Sequence, residues 1–432
     1  KLNIGLGHRR LSIIDLTDNG AQPMVKDNFA ITFVGEIYNY KELRSYCISR
    51  GCEFFSETDT EVILSLFKIH GVESFSMLKG MYSFILHNKS EQVAFVVRDR
   101  MGIKPLYFFK KDNTILFSSE IKGFIPFPFF KKEVCRDSLY EFLSNGFLYE
   151  PRTGFKNIFK VGQGEILEIN LNHTNLTVKS SVMSDLIMIE GIEEELQKSI
   201  YLQTNADVKS GIFFSGGVDS TIIAANAKLP LVFANYEFLK NNVDKFYAKK
   251  ISAVLGQEIK IIDFKSNIYK SDSLIRYVDF VAEHTEEMIS DYTFHATYVL
   301  SKRAREEGYT VMLSGAGGDE TFAGYPRYLA VRYKWLLFPL LIPLKCFSYF
   351  KFVNKKLGKK IYRLIGFLEE SNSLIAYSRL VGVFSRKELM SFFSDFALNE
   401  KNLLCRYQDI IGSNEKSIPN LKQAIKLDRY GF

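Results

Sequence analysis

Two glycine-rich turns constrain the fold of this chain more than any other sequence feature. Residues 213–221 read Phe-Phe-Ser-Gly-Gly-Val-Asp-Ser-Thr, and residues 313–320 read Leu-Ser-Gly-Ala-Gly-Gly-Asp-Glu. Each turn follows a short apolar run that is typical of a buried strand, and a helical pattern comes after the first. Because alternating strands and helices form parallel, doubly wound sheets, the C-terminal half is predicted to be an α/β domain.

Two further strands are predicted for this sheet, at residues 230–234 and 257–263. A helix with Ile192, Leu196 and Ile200 on one face is predicted to precede it.

Beyond Tyr328 the chain is rich in aromatic and basic residues, and it is predicted to be helical. Its most apolar stretch, residues 335–352, is interrupted by Pro339, Pro343 and Lys345 before it could span a membrane, so we expect a buried helix or helix pair. A basic run follows, for which a solvated helix face is favoured over a membrane-surface role. Its members are Lys351, Lys355, Lys356, Lys359, Lys360 and Arg363.

The N-terminal part, residues 2–171, has a different pattern. Its β-rich runs, each bounded by polar residues or glycine, lie at residues 30–34, 93–97 and 115–117. One clear helix begins near Thr58, and strands with few helices predict an α+β fold. Residues 172–189 are polar and Ser-rich and are predicted to be a linker. The predicted domains are therefore residues 1–175 and 190–432.

Composition excludes several classes of protein. The chain has 432 residues, of which 47% are hydrophobic and 24% charged, with a net charge of +7. These values are ordinary for a globular protein and too weakly basic for a nucleic-acid-binding footprint. Scattered cysteines without metal-ligand spacing, and no recognisable leader, lead us to expect reduced thiols in a cytoplasmic protein. Because the chain starts at Lys1 and stops without a polar tail, we expect both ends to be cut.

The two glycine turns carry the residue types of an anion site. Their glycines let backbone N–H groups approach a ligand closely, and Ser215 and Ser220 add hydroxyl donors. Asp219 would repel a bare phosphate, so a bridging Mg²⁺ is expected. Since both turns lie at carboxyl ends of strands, Asp219 and Asp319 are predicted to share one Mg²⁺ over a triphosphate. Neither turn contains a Walker GK[ST], and a plain strand–helix turn is the alternative for either alone.

A third group of residues lies in the strand-rich part. Residues 8–13, 35–39 and 58–61 place Arg, Glu and Asp at strand ends or helix starts. Arginine pairs bidentately with a carboxylate, and Glu or Asp can hold an ammonium group, so together they would suit both charged groups of an amino acid. On the residues alone, surface salt bridges are the better interpretation.

Taken in order, the motifs resemble one enzyme family. Five segments are similar to the glutaminase half of asparagine synthetases, namely residues 8–14, 34–42, 57–64, 98–107 and 118–122. The two Ser-Gly turns resemble the synthetase half. The resemblance implies an Ntn-hydrolase-like antiparallel sandwich followed by an α/β ATP-pyrophosphatase domain with a helical C-terminal part. It also implies glutamine hydrolysis, which releases ammonia into an internal channel, and adenylation of a carboxylate, usually that of aspartate, from which ammonia displaces AMP.

The resemblance also implies roles for individual residues. The glutamine-binding residues would be Arg10, Gly35, Glu36 and Asp59, with Gly35 also in the oxyanion hole. The residues that cradle the pyrophosphate of ATP would be Ser215, Gly216, Gly217, Asp219 and Ser220. Those beside the rest of the nucleotide would be Phe213, Asn235, Ser314 and Gly315. The Mg²⁺ ligands would be Asp219 and Asp319, and homodimers are common in the family.

Three departures from the family pattern bear on activity. The family's nucleophile is an N-terminal cysteine, which this chain lacks, and neither Cys47 nor Cys52 stands in for it. Val34 replaces an asparagine whose amide completes the oxyanion hole, a loss worth about 3 kcal/mol of transition-state stabilisation. Ala316 replaces an acidic residue that the family uses near the acyl-adenylate. The chain also ends before the family's last helical segment.

Three functional hypotheses follow from the sequence. The leading one is glutamine-dependent, ATP-driven amidation of a carboxylate, with aspartate as the default acceptor. Val34 motivates the second, a ligase that uses free ammonia or another amine and has a vestigial glutaminase half. Ala316 motivates the third, a catalytically inactive nucleotide-binding or scaffold protein. Neither nucleic acid nor a membrane is an expected partner.

Overall fold

The structure of the chain is a computed structural model. It describes residues 3–172, 176–183, 191–236, 243–264, 273–291, 293–348, 355–411 and 424. The strands are β1 (Met24–Lys26), β2 (Phe29–Ile37), β3 (Gly80–Asn88), β4 (Val93–Arg98), β5 (Tyr107–Lys111), β6 (Thr114–Ser118), β7 (Ile158–Lys160), β8 (Glu165–Asn170), β9 (Thr177–Val182), β10 (Ser210–Phe213), β11 (Leu231–Tyr236), β12 (Ile259–Phe264) and β13 (Val311–Leu313).

The helices are α1 (Tyr40–Ile48), α2 (Asp59–His70), α3 (Arg136–Asn145), α4 (Ile192–Leu202), α5 (Val218–Ala227), α6 (Val243–Leu255), α7 (Ser273–His284), α8 (Thr293–Glu306), α9 (Gly318–Phe322), α10 (Pro326–Arg332), α11 (Lys334–Leu337), α12 (Leu341–Ser348), α13 (Lys355–Glu369), α14 (Ser373–Val381), α15 (Arg386–Phe392) and α16 (Phe396–Ile411). Short 3₁₀ helices lie at Asp18–Gly20, Gly71–Met77, Ile121–Phe124 and Phe338–Leu340.

The chain divides into two compact units. The first consists of residues 1–128, 160–277 and 295–315, and the second of residues 129–159, 278–294 and 316–432. The first unit therefore contains strands from both halves of the chain, and the second is mainly helical. The division into domains 1–175 and 190–432 stays a prediction.

In the described residues, an antiparallel sheet of six strands has the order β1-β2-β3-β4-β8-β9, and a sheet of three has the order β6-β5-β7. Successive side chains of a strand point to opposite faces of its sheet. Accordingly, Phe84 and Phe95 belong to a core shared with α1 and α2. Ala94 and Val96 belong to a second core, which includes residues of β5, β6 and β8. This layering confirms the predicted antiparallel sandwich.

The predicted linker at residues 172–189 is wrong in its middle. Thr177–Val182 form β9, which pairs antiparallel with β8 from Glu165↔Val182 to Asn170↔Thr177. Every side chain of β9 is exposed. An edge strand is held by backbone hydrogen bonds and needs no apolar period, so its polar, Ser-rich sequence resembles a loop. Residues 173–175 and 184–189 of the predicted linker lie outside the described residues.

The predicted parallel sheet is also confirmed. Its order is β12-β11-β10-β13, and each neighbouring pair is parallel. Ile212 and Phe214 pack on one face with residues of α5 and α6, and Phe213 packs on the other face with Ala304 of α8. Because β10 and β13 are neighbours, with Ile212 opposite Leu313, the two glycine turns leave adjacent strands at the same edge.

The second unit has an aromatic core. Its fully buried members include Tyr140, Tyr328, Phe367, Tyr377 and Tyr407. These rings come from α3, α10, α13, α14 and α16. The core therefore joins a helix from the middle of the chain to the helices of the C-terminal part.

The expectation that residues 335–352 are buried is wrong for their described part. Residues 335–348 are helical, as predicted, in α11, a 3₁₀ turn and α12. However, Trp335 and Ile342 are each 73% exposed. Leu337, Leu341 and Leu344 pack against the aromatic core, so the apolar residues of this stretch occupy both its inner and its outer face. Among the described residues no helix combines the length and hydropathy of a membrane span.

Candidate active sites

A cavity of about 140 Å³ lies in the antiparallel part of the first unit. Four of the five segments that resemble the glutaminase half supply residues to its lining. Arg10, Gly35, Glu36 and Asp59, which come from distant parts of the sequence, are all among the lining residues. The structure thus brings the four predicted glutamine-binding residues to one cavity. Val34 lines it as well.

Glycine is required where β2 passes β3 beside this cavity. Gly35 lies opposite Tyr82 and has a φ of +138°, a backbone conformation that disfavours other residues. A Cβ on Gly35 would lie 2.7 Å from the Tyr82 Cα and would overlap the Met81 carbonyl oxygen. A Cβ on Gly80 would likewise overlap the Glu36 carbonyl oxygen. The two backbones therefore approach each other only because both positions lack a side chain.

The start of α2 delivers the carboxylate of Asp59 to the cavity. Thr58 caps the helix, since its hydroxyl oxygen accepts the Glu61 N–H at 3.2 Å, and the helix begins where the sequence predicted it. The Asp59 Oδ2 accepts the N–H of Ile37 at 2.9 Å, which fixes its position relative to β2. Asp59 is only 6% exposed.

Two carboxylates lie at the cavity, and burial makes the charged form of each less stable. Burial raises the pKa of Asp59 to about 6, although hydrogen bonds from backbone N–H groups and the charge of Arg10 oppose the shift. Burial and then the negative charge of Asp59 raise the pKa of Glu36 to about 7, with Lys104 opposing. A positively charged ligand group between them would stabilise both carboxylates.

Arg10 serves the structure of the cavity wall as well as lining it. Its guanidinium donates to the carbonyl oxygens of Ile14 at 2.8 Å, Asp15 at 2.6 Å and Thr17 at 3.1 Å. A Cβ at Gly20 would overlap the guanidinium. Of five N–H donors, three are used in this way, and two are left for a ligand. Sequence reasoning missed this role because carbonyl acceptors have no side-chain signature.

Asp15, which follows the lining residue Ile14, connects this segment to Glu57 just before α2. One carboxylate oxygen accepts the Thr17 hydroxyl at 2.6 Å, and the other accepts the Glu57 N–H at 2.8 Å. Burial raises the pKa of this carboxyl, but these hydrogen bonds outweigh burial and hold it below its usual value. The Asp15 N–H in turn donates to Asp207, just before β10, at 2.9 Å. Asp15 was not among the predicted site residues.

Lys104 also lines the cavity, although no role for this member of the segment 98–107 was predicted from the sequence. It lies in a turn that Asp99 and Arg98 hold, both almost fully buried. The Asp99 carboxylate accepts the N–H groups of Ile103 and Lys104, each at 3.0 Å. The Arg98 guanidinium donates to the carbonyl oxygens of Gly102 and Lys104 at 2.6 and 2.8 Å. The motif at residues 98–107 therefore positions a cation at the cavity.

In the parallel sheet, the first glycine turn is held by its own serines. The hydroxyl oxygens of Ser215 and Ser220 lie 3.0 Å apart. Ser220 also accepts the Ser215 N–H at 3.3 Å, and Ser215 accepts the Gly217 N–H at 3.2 Å. Gly216 has a φ of +76°, and a Cβ there would lie 2.8 Å from the Ala248 N of α6. Both the turn's conformation and its close packing on α6 thus require glycine.

The second glycine turn passes directly over the start of α5. A Cβ on Gly315 would lie 2.8 Å from the Asp219 Cβ and 3.1 Å from the Ser220 N. Ser314 is exposed just beyond β13. The structure therefore brings Gly315 together with the predicted pyrophosphate-binding residues of the first turn.

Other predicted nucleotide residues have different surroundings. Asn235 is buried at the end of β11, where its amide donates to Asp263 on β12. Phe213 is partly buried and packs with Val232, Ala304 and Tyr309, and its contact with adenosine stays a prediction.

Ala316 and Asp319 belong to the second unit, where Asp319 lies in the first turn of α9. Sharing of Mg²⁺ between Asp219 and Asp319 stays a prediction. The described residues contain no group of three or more His, Cys, Asp or Glu that could hold a metal ion by themselves. A Mg²⁺ bound with substrate phosphates needs only one or two protein carboxylates.

Two sequence families match successive parts of the chain. Residues 1–180 match the glutamine amidotransferase domain, and residues 191–392 match asparagine synthase. Asparagine synthetase [glutamine-hydrolyzing] 1 of Bacillus subtilis is 31% identical over 344 residues, which is 76% of this chain and 52% of that protein. The chain belongs to the asparagine synthetase family.

Other relatives of this asparagine synthetase family member differ in name. Putative asparagine synthetase [glutamine-hydrolyzing] 2 of Methanocaldococcus jannaschii is 29% identical over 354 residues, covering 76% of this chain and 68% of that protein. Amidase chry2 of Gibberella zeae is 27% identical over 355 residues, covering 76% of this chain and 52% of that protein. The chain thus spans about half the length of the Bacillus and Gibberella relatives.

Proposed function

We propose that this asparagine synthetase family protein forms an amide from a carboxylate with nitrogen from glutamine and energy from ATP. The observation that carries the proposal is the pairing of two sites in one unit. Arg10, Gly35, Glu36 and Asp59 surround one cavity, and the two glycine turns meet where Gly315 covers the start of α5. We further propose that the products include AMP and pyrophosphate and that aspartate is the acceptor.

The charges of the cavity suit a zwitterionic amino acid. The α-ammonium of glutamine would lie between Glu36 and Asp59, whose pKa values are raised mainly by burial and would fall beside a cation. Its α-carboxylate would accept the two N–H donors of Arg10 that no carbonyl uses, with Lys104 adding positive charge. Binding therefore lowers the pKa of both cavity carboxylates and releases protons.

The glycine turns suit the phosphates of ATP. Ser215 and Gly217 are exposed, and Ser220 lies in the first turn of α5, where backbone N–H groups and the helix dipole favour an anion. Asp219 is an oxygen donor of the kind that Mg²⁺ prefers, and a bound Mg²⁺ would offset its repulsion of phosphate. Adenylation gives the acceptor carboxylate a leaving group that ammonia can displace, and the turn stabilises charge developing on pyrophosphate.

A second candidate function rests on Val34. Its side chain offers no N–H donor to an oxyanion at the cavity, and a missing donor costs about 3 kcal/mol of transition-state stabilisation, roughly a hundredfold in rate. A ligase that uses free ammonia, with a cavity that binds glutamine without fast hydrolysis, fits this observation. The acceptor could then differ from aspartate, as Ala316 also suggests.

The test is an assay of the protein expressed from its complete gene. ATP with labelled phosphates is combined with Mg²⁺, a panel of carboxylates including aspartate, and either glutamine or ammonium. We expect AMP and pyrophosphate to form only when an acceptor is present. Formation of ADP would refute the proposal, and turnover with ammonium but not with glutamine would favour the second candidate.

A matched pair of variants connects the assay to the structure. Asp219→Asn removes the carboxylate at the start of α5, whereas Asp244→Asn removes an exposed carboxylate from the first turn of α6. We expect the first variant to lose ATP turnover and the second to retain it. Equal activity of both would show that the turn does not hold the nucleotide.

A further inference from the structure

Two cysteines lie at the end of α1, in the first unit. Cys47 is in the last turn of the helix, and Cys52 follows a glycine, Gly51, with a φ of +81°. The Cys52 N–H donates to the Cys47 carbonyl oxygen at 3.1 Å, and the Gly51 N–H donates to the Ile48 carbonyl oxygen at 2.9 Å. These two bonds, with the left-handed glycine between them, define a Schellman motif.

A Schellman motif brings together the side chains of its first and last residues, which here are Cys47 and Cys52. That contact is usually apolar, and here it joins two thiols. Burial, followed by the charge of Cys52 and a hydrogen bond to its thiol, raises the pKa of Cys47 to about 11. Cys47 has no exposed surface, whereas Cys52 is half-buried. The pair therefore consists of one accessible and one covered sulfur atom.

The backbone geometry is compatible with a disulfide. A disulfide joins residues whose Cα atoms are about 4.4–6.8 Å apart, and a direct N–H···O bond between two residues keeps their backbones within that range. Lys26 and Arg50 place positive charge near Cys47, which partly opposes the rise of its pKa. The remaining cysteines, Cys135, Cys346 and Cys405, lie in the second unit.

We propose that Cys47 and Cys52 form a reversible dithiol–disulfide modification site that reacts with peroxides and low-molecular-weight disulfides. With a peroxide, the Cys52 sulfur attacks oxygen, the O–O bond breaks, and a sulfenic acid and water (or an alcohol) form. The Cys47 sulfur then attacks the Cys52 sulfur, the S–O bond breaks, and the thiol proton leaves with the oxygen as water. The two thiols are oxidised by two electrons, and the peroxide is reduced.

With a low-molecular-weight disulfide, Cys52 first forms a mixed disulfide and releases one small thiol. Cys47 then attacks the Cys52 sulfur and releases the second small thiol. Both routes end in the same protein disulfide because the Schellman motif places Cys47 beside the modified Cys52. A dithiol reductant reverses the reaction by two further exchanges.

The test uses the whole chain and the position of Arg50. Trypsin cleaves after Arg50, so Cys47 falls in the peptide 45–50 and Cys52 in the peptide 51–68. The folded chain is treated with hydrogen peroxide or oxidised glutathione, quenched with acid, alkylated under denaturing conditions and digested. We expect these two peptides to appear linked, lighter by two hydrogen atoms than their sum, and to separate after treatment with dithiothreitol.

Variants and a second probe make the result decisive. In Cys52→Ser, Cys47 should stay unmodified because it is covered, and in Cys47→Ser, Cys52 should keep glutathione or proceed to sulfinic acid. Phenylarsine oxide, which binds paired thiols, should bind the wild-type chain and Cys135→Ser but neither variant of the pair. Stable glutathione or sulfinic acid on Cys52 of the wild-type chain, with Cys47 still alkylated after denaturation, would overturn the proposal.

Discussion

The substitution Glu36→Gln tests whether the ionised carboxylate of Glu36 destabilises the folded protein. Burial and the charge of Asp59 raise the pKa of Glu36 from 4.5 to about 7. Between these pH values the folded protein binds more protons than the unfolded chain, so its stability falls as the pH rises through this window. At about 1.4 kcal/mol per pKa unit, the ionised carboxylate costs the folded state up to about 3 kcal/mol above pH 7.

Glutamine has nearly the shape of a protonated glutamic acid and carries no charge to titrate. We therefore expect Glu36→Gln to match the wild type in stability near pH 4, below the unfolded pKa, and to exceed it by up to about 3 kcal/mol near pH 8. Hydrogen exchange followed by mass spectrometry reports this locally, on peptides that cover β2 and α2. The control is Glu42→Gln, an exposed carboxylate in the first turn of α1, which should change neither value.

The same substitution should have the opposite effect on ligand binding. Loss of a charged partner for the glutamine ammonium costs about 1.5–3 kcal/mol, on the order of 10- to 100-fold in Kd at pH 8. Wild-type affinity should itself weaken from pH 8 to pH 6 as Glu36 becomes protonated, and calorimetry in two buffers should detect proton release on binding. An equal gain in stability for Glu36→Gln at pH 4 and pH 8, or a loss at pH 8, would refute the reasoning.

Three other substitutions test separate parts of the two sites. Val34→Asn should raise glutamine turnover on the order of a hundredfold in the protein expressed from its complete gene, since it restores an oxyanion donor. Asp15→Asn should destabilise β2 and α2 by about 1–3 kcal/mol at pH 7, because the asparagine NH₂ group would face groups that donate hydrogen bonds to Asp15. The difference in stability between wild type and variant, measured by hydrogen exchange, should shrink below about pH 4, where the aspartate becomes protonated. Gly315→Ala should weaken ATP binding in calorimetric titrations, because its Cβ would lie 2.8 Å from the Asp219 Cβ.

The parallel sheet and its turns were predictable because their signals are local. A Ser-Gly-Gly sequence after a short apolar run is typical of a tight turn at the end of a strand. The left-handed φ of Gly216 explains why glycine occupies that position. The fact that Gly315 meets Asp219 also followed, since parallel strands place their carboxyl ends at one edge. The residues that form the cavity were identified by family resemblance, because single Arg, Glu and Asp residues suit surface ion pairs equally well.

The errors have physical causes. β9 looked like a linker because its pairing with β8 uses only backbone groups, and none of its side chains is buried. The stretch around Trp335 was predicted to be buried because its composition does not show which apolar residues face the core and which face the solvent. The structural role of Arg10 was hidden because its acceptors are main-chain carbonyl oxygens, which any sequence offers.

Each of the two sites depends on its own close backbone contact. Substitutions at these contacts can therefore distinguish a local loss of binding from general unfolding. Gly35 lets β2 lie against Met81, whereas Gly315 lets the second turn lie against Asp219. A Cβ at Gly35 should therefore abolish glutamine binding and spare ATP binding, whereas a Cβ at Gly315 should weaken ATP binding and spare glutamine binding. If either substitution removes both affinities while the far-ultraviolet circular dichroism is unchanged, the two sites are energetically coupled, and the reading of each as an independent local structure is wrong.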